Sequence, residues 1–168
     1  MIKAILIINN HGKPRLTKFY ENYSIDKQQQ IIRDLFLLVS KRPERACNFL
    51  EVDDVFADKD TKIIYRHYAT LYFIFCVDSN ESELSMIDLI QTFVETLDKC
   101  FENVCELDLI FHIDRVHYIL DEIVMGGLVL ETNPAIVVSN YEMANKLEKS
   151  ENPLMAGFQG VIQSIKPK

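Results

Sequence analysis

Glycine and proline are scarce, five of each in 168 residues. A glycine-rich loop of the kind that cradles phosphates therefore has little to be built from. Positive charge is also in short supply. The 18 Lys and Arg stand against 25 Asp and Glu, a formal charge of −7, which argues against the broad basic stripe of a general nucleic-acid binder but leaves room for a local basic patch. No apolar run approaches the ~20 residues of a membrane-spanning helix; the longest are residues 4–8 and 71–77. The first run halts at Asn9-Asn10, short of a signal-peptide core of about 7–15 apolar residues. Met1 is not followed by glycine and the sequence closes on Lys-Pro-Lys, so myristoylation and prenylation signals are lacking. The four cysteines, Cys47, Cys76, Cys100 and Cys105, sit inside apolar patterns. They read as reduced core thiols of a cytosolic protein rather than as a disulfide framework.

What is present is a globular composition, 48% hydrophobic and 26% charged, over a length that suits one domain. Residues 2–8 are apolar on both faces, as in a central strand covered on two sides. The turn formers of 9–14 lead to a more polar strand over 15–20, which suits a sheet edge. Asp26 is placed to cap a helix reaching Ser40, with Ile31, Ile32, Leu35, Leu38 and Val39 at helical spacing and Pro43 as its stop. Residues 47–52 form a short third strand and 53–60 an acidic, turn-like loop. Residues 61–68 and 71–77 are either two strands joined at Ala69-Thr70 or one long bent strand. The second half is helical. Asn80 and Glu83 have capping-box spacing before a long helix to Phe101. A short helix over 105–112 and a longer one over 114–125 follow, with Gly126-Gly127 as the stop. Asn133-Pro134 opens a last helix to about Lys149. From Ser150 the pattern dissolves into a tail expected to be mobile, with a weak apolar segment at 157–165. There is no internal repeat. Strands first and helices after predict an α+β layer fold, an antiparallel sheet with helices on its faces.

The search for chemistry finds little. His112 and His117 are five apart rather than the three or four that align ligands on a helix, and read as partly buried structural histidines. Cys100 and Cys105 lack Cys-x-x-Cys spacing. The carboxylate pairs Asp121-Glu122 and Glu81/Glu83 read as solvated helix faces, with no neighbouring feature that would raise a pKa. Lys13, Arg15 and Lys18 stand out in an acidic chain. They either blunt a sheet edge or capture an anion, and composition leaves both open. No metal site, cofactor site or acid–base pair is visible, which favours a structural or binding subunit over a small enzyme.

Several stretches carry a resemblance. They are Asn10-His11-Gly12-Lys13-Pro14-Arg15-Leu16; Ile64-Tyr65-Arg66-His67-Tyr68-Ala69-Thr70-Leu71-Tyr72-Phe73; Phe93-Val94-Glu95-Thr96-Leu97-Asp98; Asn103-Val104-Cys105-Glu106-Leu107-Asp108-Leu109-Ile110-Phe111; and Leu120-Asp121-Glu122 with Met125-Gly126-Gly127. Over residues 1–149 the chain resembles the small, or sigma, chain of the heterotetrameric clathrin-adaptor complexes. Gln28-Gln29-Gln30-Ile31, Glu81-Ser82-Glu83-Leu84 and Val129-Leu130-Glu131-Thr132-Asn133 favour the sigma-three type of the third adaptor complex, as do the long 53–60 loop and the 150–168 tail.

The resemblance implies a longin-like fold, a five-stranded antiparallel sheet flanked by helices. It implies a non-enzymatic subunit beside a large delta chain, a beta-three chain and a mu-three chain. Such a complex sits peripherally on Golgi and endosomal membranes and sorts cargo towards lysosomes. With delta, the small chain would bind acidic dileucine signals, Asp/Glu-x-x-x-Leu-Leu/Ile, in cytosolic cargo tails. By motif position the dileucine pocket falls on Ala69, Leu71, Val94, Val104 and Leu109, with Asn103 at its rim, and Arg15 takes the acidic residue. Nothing carries over onto the 53–60 loop or the tail. A free-standing longin-type trafficking domain and a coatomer small chain are the alternatives.

Overall fold

A short apolar run with no polar face has to be covered from both sides, and β1 (Ile2–Asn9) is buried at every position. In the computed structural model, which describes residues 1–43, 46–51, 55–56 and 60–151, β1 lies second in a five-stranded sheet of order β2-β1-β5-β4-β3. The other strands are β2 (Pro14–Phe19), β3 (Phe49–Glu51), β4 (Thr61–Tyr68) and β5 (Leu71–Asp78), and every pairing is antiparallel. The polar β2 is an edge, as expected, and residues 61–78 are two strands rather than one.

Alternation along the strands builds two cores. Ala4, Leu6, Ile8, Ile63, Tyr65, Ile74 and Cys76 face α1 (Ile25–Ser40) through Ile31, Leu35 and Val39. Ile5, Ile7, Ile64, Phe73, Phe75 and Val77 face α2 (Glu83–Phe101), α4 (Ile113–Ile123) and α5 (Pro134–Glu151). The short α3 (Glu106–Phe111) adds Leu109 to this second core. The fold is therefore α+β, a longin-like antiparallel sheet between helices. No helix among the described residues is long and apolar enough to cross a membrane.

Several local expectations are corrected. Ser24, not Asp26, caps α1 by accepting from the Lys27 amide; Asp26 lies inside the first turn, where a carboxylate suits the helix dipole. Ser82, not Asn80, caps α2. Asn80 instead donates its amide to Asp78 in the turn that leaves β5. The helix expected to run to Met125 ends at Ile123, because Val124 and Met125 leave it as β6 (Val124–Met125). This strand pairs with β7 (Leu128–Val129) around Gly126-Gly127. Both glycines have positive φ, +59° and +81°, as a two-residue hairpin turn of type I′ requires. They turn a hairpin rather than stop a helix. Asn133 caps α5 as expected, accepting from the Ala135 amide.

All four cysteines are free, but only Cys76 is fully buried, Cys100 is half-buried, and Cys47 and Cys105 are exposed. His117 is half-buried and His112 exposed, stacked on Phe101. Of the 53–60 loop only positions 55, 56 and 60 are described, and Val55 and Phe56 are buried in the core under α1. The tail beyond Glu151 lies outside the described residues.

Candidate functional site

Two turns meet at one end of the sheet. In the β1–β2 turn the Asn9 side chain accepts from the amides of His11 and Lys13, and Gly12 supplies a positive φ. In the β4–β5 turn Ala69 takes φ +52°, a left-handed conformation that costs an alanine ~1–2 kcal/mol. The Asn10 amide donates to the Thr70 carbonyl at 2.9 Å and holds the turns together. The third part arrives from α2. Its exit passes through Glu102 and Asn103, both with positive φ, and the Val104 amide donates to the Asp98 carboxylate. This sharp reversal lays α3 beside the two turns.

Between the β4–β5 turn, α2 and the start of α3 lies a cavity of about 520 Å³. Ala69, Leu71, Val94, Val104 and Leu109 all line it, so five of the expected site residues come together from three separate stretches. Phe73 and Leu97 add apolar wall that motif positions alone did not mark. Asn103 stands outside the lining, exposed at the turn that leads Val104 in.

The mouth of the cavity is polar. On one side Gln91 accepts from Arg66 at 3.0 Å and from the Tyr68 hydroxyl at 2.6 Å, and it donates to Glu95. Arg66 also lies over the Tyr68 ring. On the other side is Glu106, a lining residue that motif positions did not mark. Its carboxylate accepts from Asn9 Nδ2 at 3.0 Å, from Arg15 Nε at 2.8 Å and from Thr70 Oγ1 at 3.1 Å. The Asn9 hydrogen bond first, helped by those from Arg15 and Thr70 and by the Arg15 charge, holds this carboxyl below its ordinary value against desolvation, which is second in size and acts the other way. Arg15 is thus neither edge decoration nor a lining residue. It stands beside the cavity, paired with Glu106, its side chain one-fifth exposed. Lys18 pairs instead with Asp121 at 2.9 Å.

The carboxylates read as solvated surface groups are paired there, Glu83 with Lys62 and Glu122 with Asn140. No group of three or more His, Cys, Asp or Glu among the described residues is placed to hold a metal ion. What the arrangement offers is a cavity with an apolar wall and the Arg15–Glu106 pair at its side.

Comparison with known proteins places the chain. The family model "Clathrin adaptor complex small chain" matches residues 1–148. The AP-3 complex subunit sigma of Dictyostelium discoideum is 80% identical over 99% of both chains. The human AP-3 complex subunit sigma-2 is 61% identical over 99% of this chain and 86% of its own length. The AP-3 complex subunit sigma of Arabidopsis thaliana is 51% identical over 92% of each. In three dimensions the fold matches a chain in a homology model of the full-length AP-3 complex in a stretched open conformation, with a TM-score of 0.69, 42% identity, and coverage of 91% of this chain and 98% of that one. The chain belongs to the clathrin adaptor complex small-chain family, and AP-3 sigma subunits are among the relatives it matches along nearly its whole length.

Proposed function

We propose that this non-enzymatic adaptor subunit, whose family serves vesicle trafficking, binds acidic dileucine signals in the cytosolic tails of membrane cargo. It does so within a complex of the AP-3 type, packed against a large delta-type chain, with beta-three and mu-three chains completing the heterotetramer. The complex works peripherally on Golgi and endosomal membranes and sends cargo towards lysosomes and related organelles. The observation that carries the reading is the convergence of Ala69, Leu71, Val94, Val104 and Leu109 on one cavity of about 520 Å³, with a cationic side chain beside it. Each ligand leucine buried there contributes ~1.5–3 kcal/mol before ordering of the flexible tail subtracts a share. The result is weak, reversible binding, which coat assembly on a membrane strengthens by avidity.

Two substitutions test it. Val94→Asp puts a carboxylate into the apolar wall and should abolish binding of an acidic dileucine peptide to the assembled complex. Arg15→Ser should leave assembly intact and weaken binding by up to about fivefold at low salt, the range for a partly exposed ion pair. The loss should shrink at high salt, where the ionic attraction is already screened. Fluorescence anisotropy of a labelled peptide reads both. Wild-type affinity for Arg15→Ser at low salt would refute the role given to Arg15, and wild-type affinity for Val94→Asp would refute the pocket.

A further inference from the structure

We infer that Glu106 is a positioning residue for the acidic part of the ligand, because it holds Arg15 through Nε alone and leaves the terminal Nη pair of the guanidinium for a second carboxylate. This rests on the dileucine reading above and adds to it a residue that sets the preference for an acidic signal.

The geometry distinguishes a holder from a competitor. Arginine has five N–H donors in a rigid planar fork, and a carboxylate bound to it frequently takes two of them. Glu106 takes one, the Nε hydrogen, at 2.8 Å. Among the described residues Nη1 and Nη2 have no hydrogen-bond partner. Glu106 is itself fixed, by Asn9 at 3.0 Å and Thr70 at 3.1 Å. Asn9 is buried and holds the β1–β2 turn with its other side-chain atom. Thr70 and Glu106 both line the cavity. A carboxylate tied to two turns is not built to swing away when ligand arrives. It is built to keep a long, rotamer-rich side chain in one place, so that less freedom is lost when the ligand's acid docks. Lysine at position 15 would not substitute, having a single ammonium in place of a fork with separate edges.

The test uses the adaptor complex assembled with the full chain and two peptides, one with Glu four residues before Leu-Leu and one with Gln there. The readout is the ratio of their affinities. The wild type should prefer the acidic peptide by up to about fivefold at low salt. Glu106→Ala should bring the ratio close to one; Glu106 also lines the cavity, so whatever its loss does to the cavity itself acts on both peptides and cancels in the ratio. Glu106→Gln keeps an acceptor for Nε and should hold the ratio nearer to wild type than Glu106→Ala does. If Glu106→Ala fails to assemble, Glu106→Asp, which draws the acceptor back by one methylene, should lower the ratio in its place. A ratio unchanged or raised in Glu106→Ala (or in Glu106→Asp, where that stands in) overturns the inference, a rise marking Glu106 as a competitor for Arg15, as does a ratio that falls equally in Glu106→Gln. Either outcome leaves the dileucine reading standing. If the wild-type complex binds neither peptide, that reading falls and this inference with it.

Discussion

Cys76 and Cys105 show how differently one residue type is treated within this chain. Cys76 sits at the sheet centre, wholly buried, and burial pushes its thiol well up. Cys100, half-buried on α2, is pushed up to about 11, by burial first and by the Glu142 charge second. Cys105 and Cys47 are exposed. The thiolate is the reactive form, so access and acidity act together. A thiol reagent around pH 8 should modify Cys47 and Cys105 first and Cys100 slowly, and reach Cys76 only on unfolding; peptide mapping over time reads the order. Early modification of Cys76 would contradict the packing at the sheet centre. At this same scale the apolar wall of the site was legible, because Ala69, Leu71, Val94, Val104 and Leu109 sit inside recognisable stretches. Glu106 sits inside one too, but its partners Arg15 and Asn9 are 91 and 97 residues away. Nothing in a single sequence pairs residues across that distance.

Elements were legible in kind and less so at their ends. The strands announced themselves by β-branched and aromatic runs, and α2 by the helical spacing of Met86, Ile90, Phe93 and Leu97, all buried. Caps are harder, because two polar residues a step or two apart are both competent to cap. Where the chain must turn away from its strand decides between Ser24 and Asp26, or between Ser82 and Asn80. Gly126-Gly127 misled for a related reason: positive φ serves a helix end and a hairpin alike. The hairpin is docked on β1, where the Ile2 amide donates to the Gly127 carbonyl at 2.9 Å. A Cβ on Gly127 would lie 2.4 Å from the Ile2 carbonyl oxygen, whereas one on Gly126 meets nothing within 4 Å. Gly126→Ala should therefore cost ~1–2 kcal/mol, from the left-handed backbone alone. Gly127→Ala should cost more, because the hairpin has to move off β1 as well. Thermal melting of the assembled complex checks the order, and equal losses would mean that the hairpin does not bear on β1.

At the scale of the whole molecule the apolar side chains left on the surface are concentrated in the second half. Leu107 and Phe111 on α3, Leu128 and Leu130 at the hairpin, and Ile136 and Met143 on α5 are all exposed. Exposed apolar surface beyond the scattered residues normal for a monomer marks a place for a partner, and permanent interfaces of this kind commonly exceed ~2,000 Å². Expressed alone, the chain should be poorly soluble or unstable, and co-expression with a delta-type chain should rescue it in a form that co-purifies. A monodisperse monomer that ignores the large chain would contradict this.

The sheet order also has a meaning in time. β1 is apolar on both faces and lies between β2 and β5. Its pairing with β5 joins Ile8 to Tyr72, 64 positions further along the sequence. At a synthesis rate of ~5–20 residues per second, that partner follows β1 from the ribosome by roughly 3–13 s. Throughout that interval β1 has at most the polar β2 beside it and α1 over one face, with one edge and the face that carries Ile5 and Ile7 open. The strand that anchors the finished fold is thus, in the nascent chain, the segment most in need of shelter from other chains.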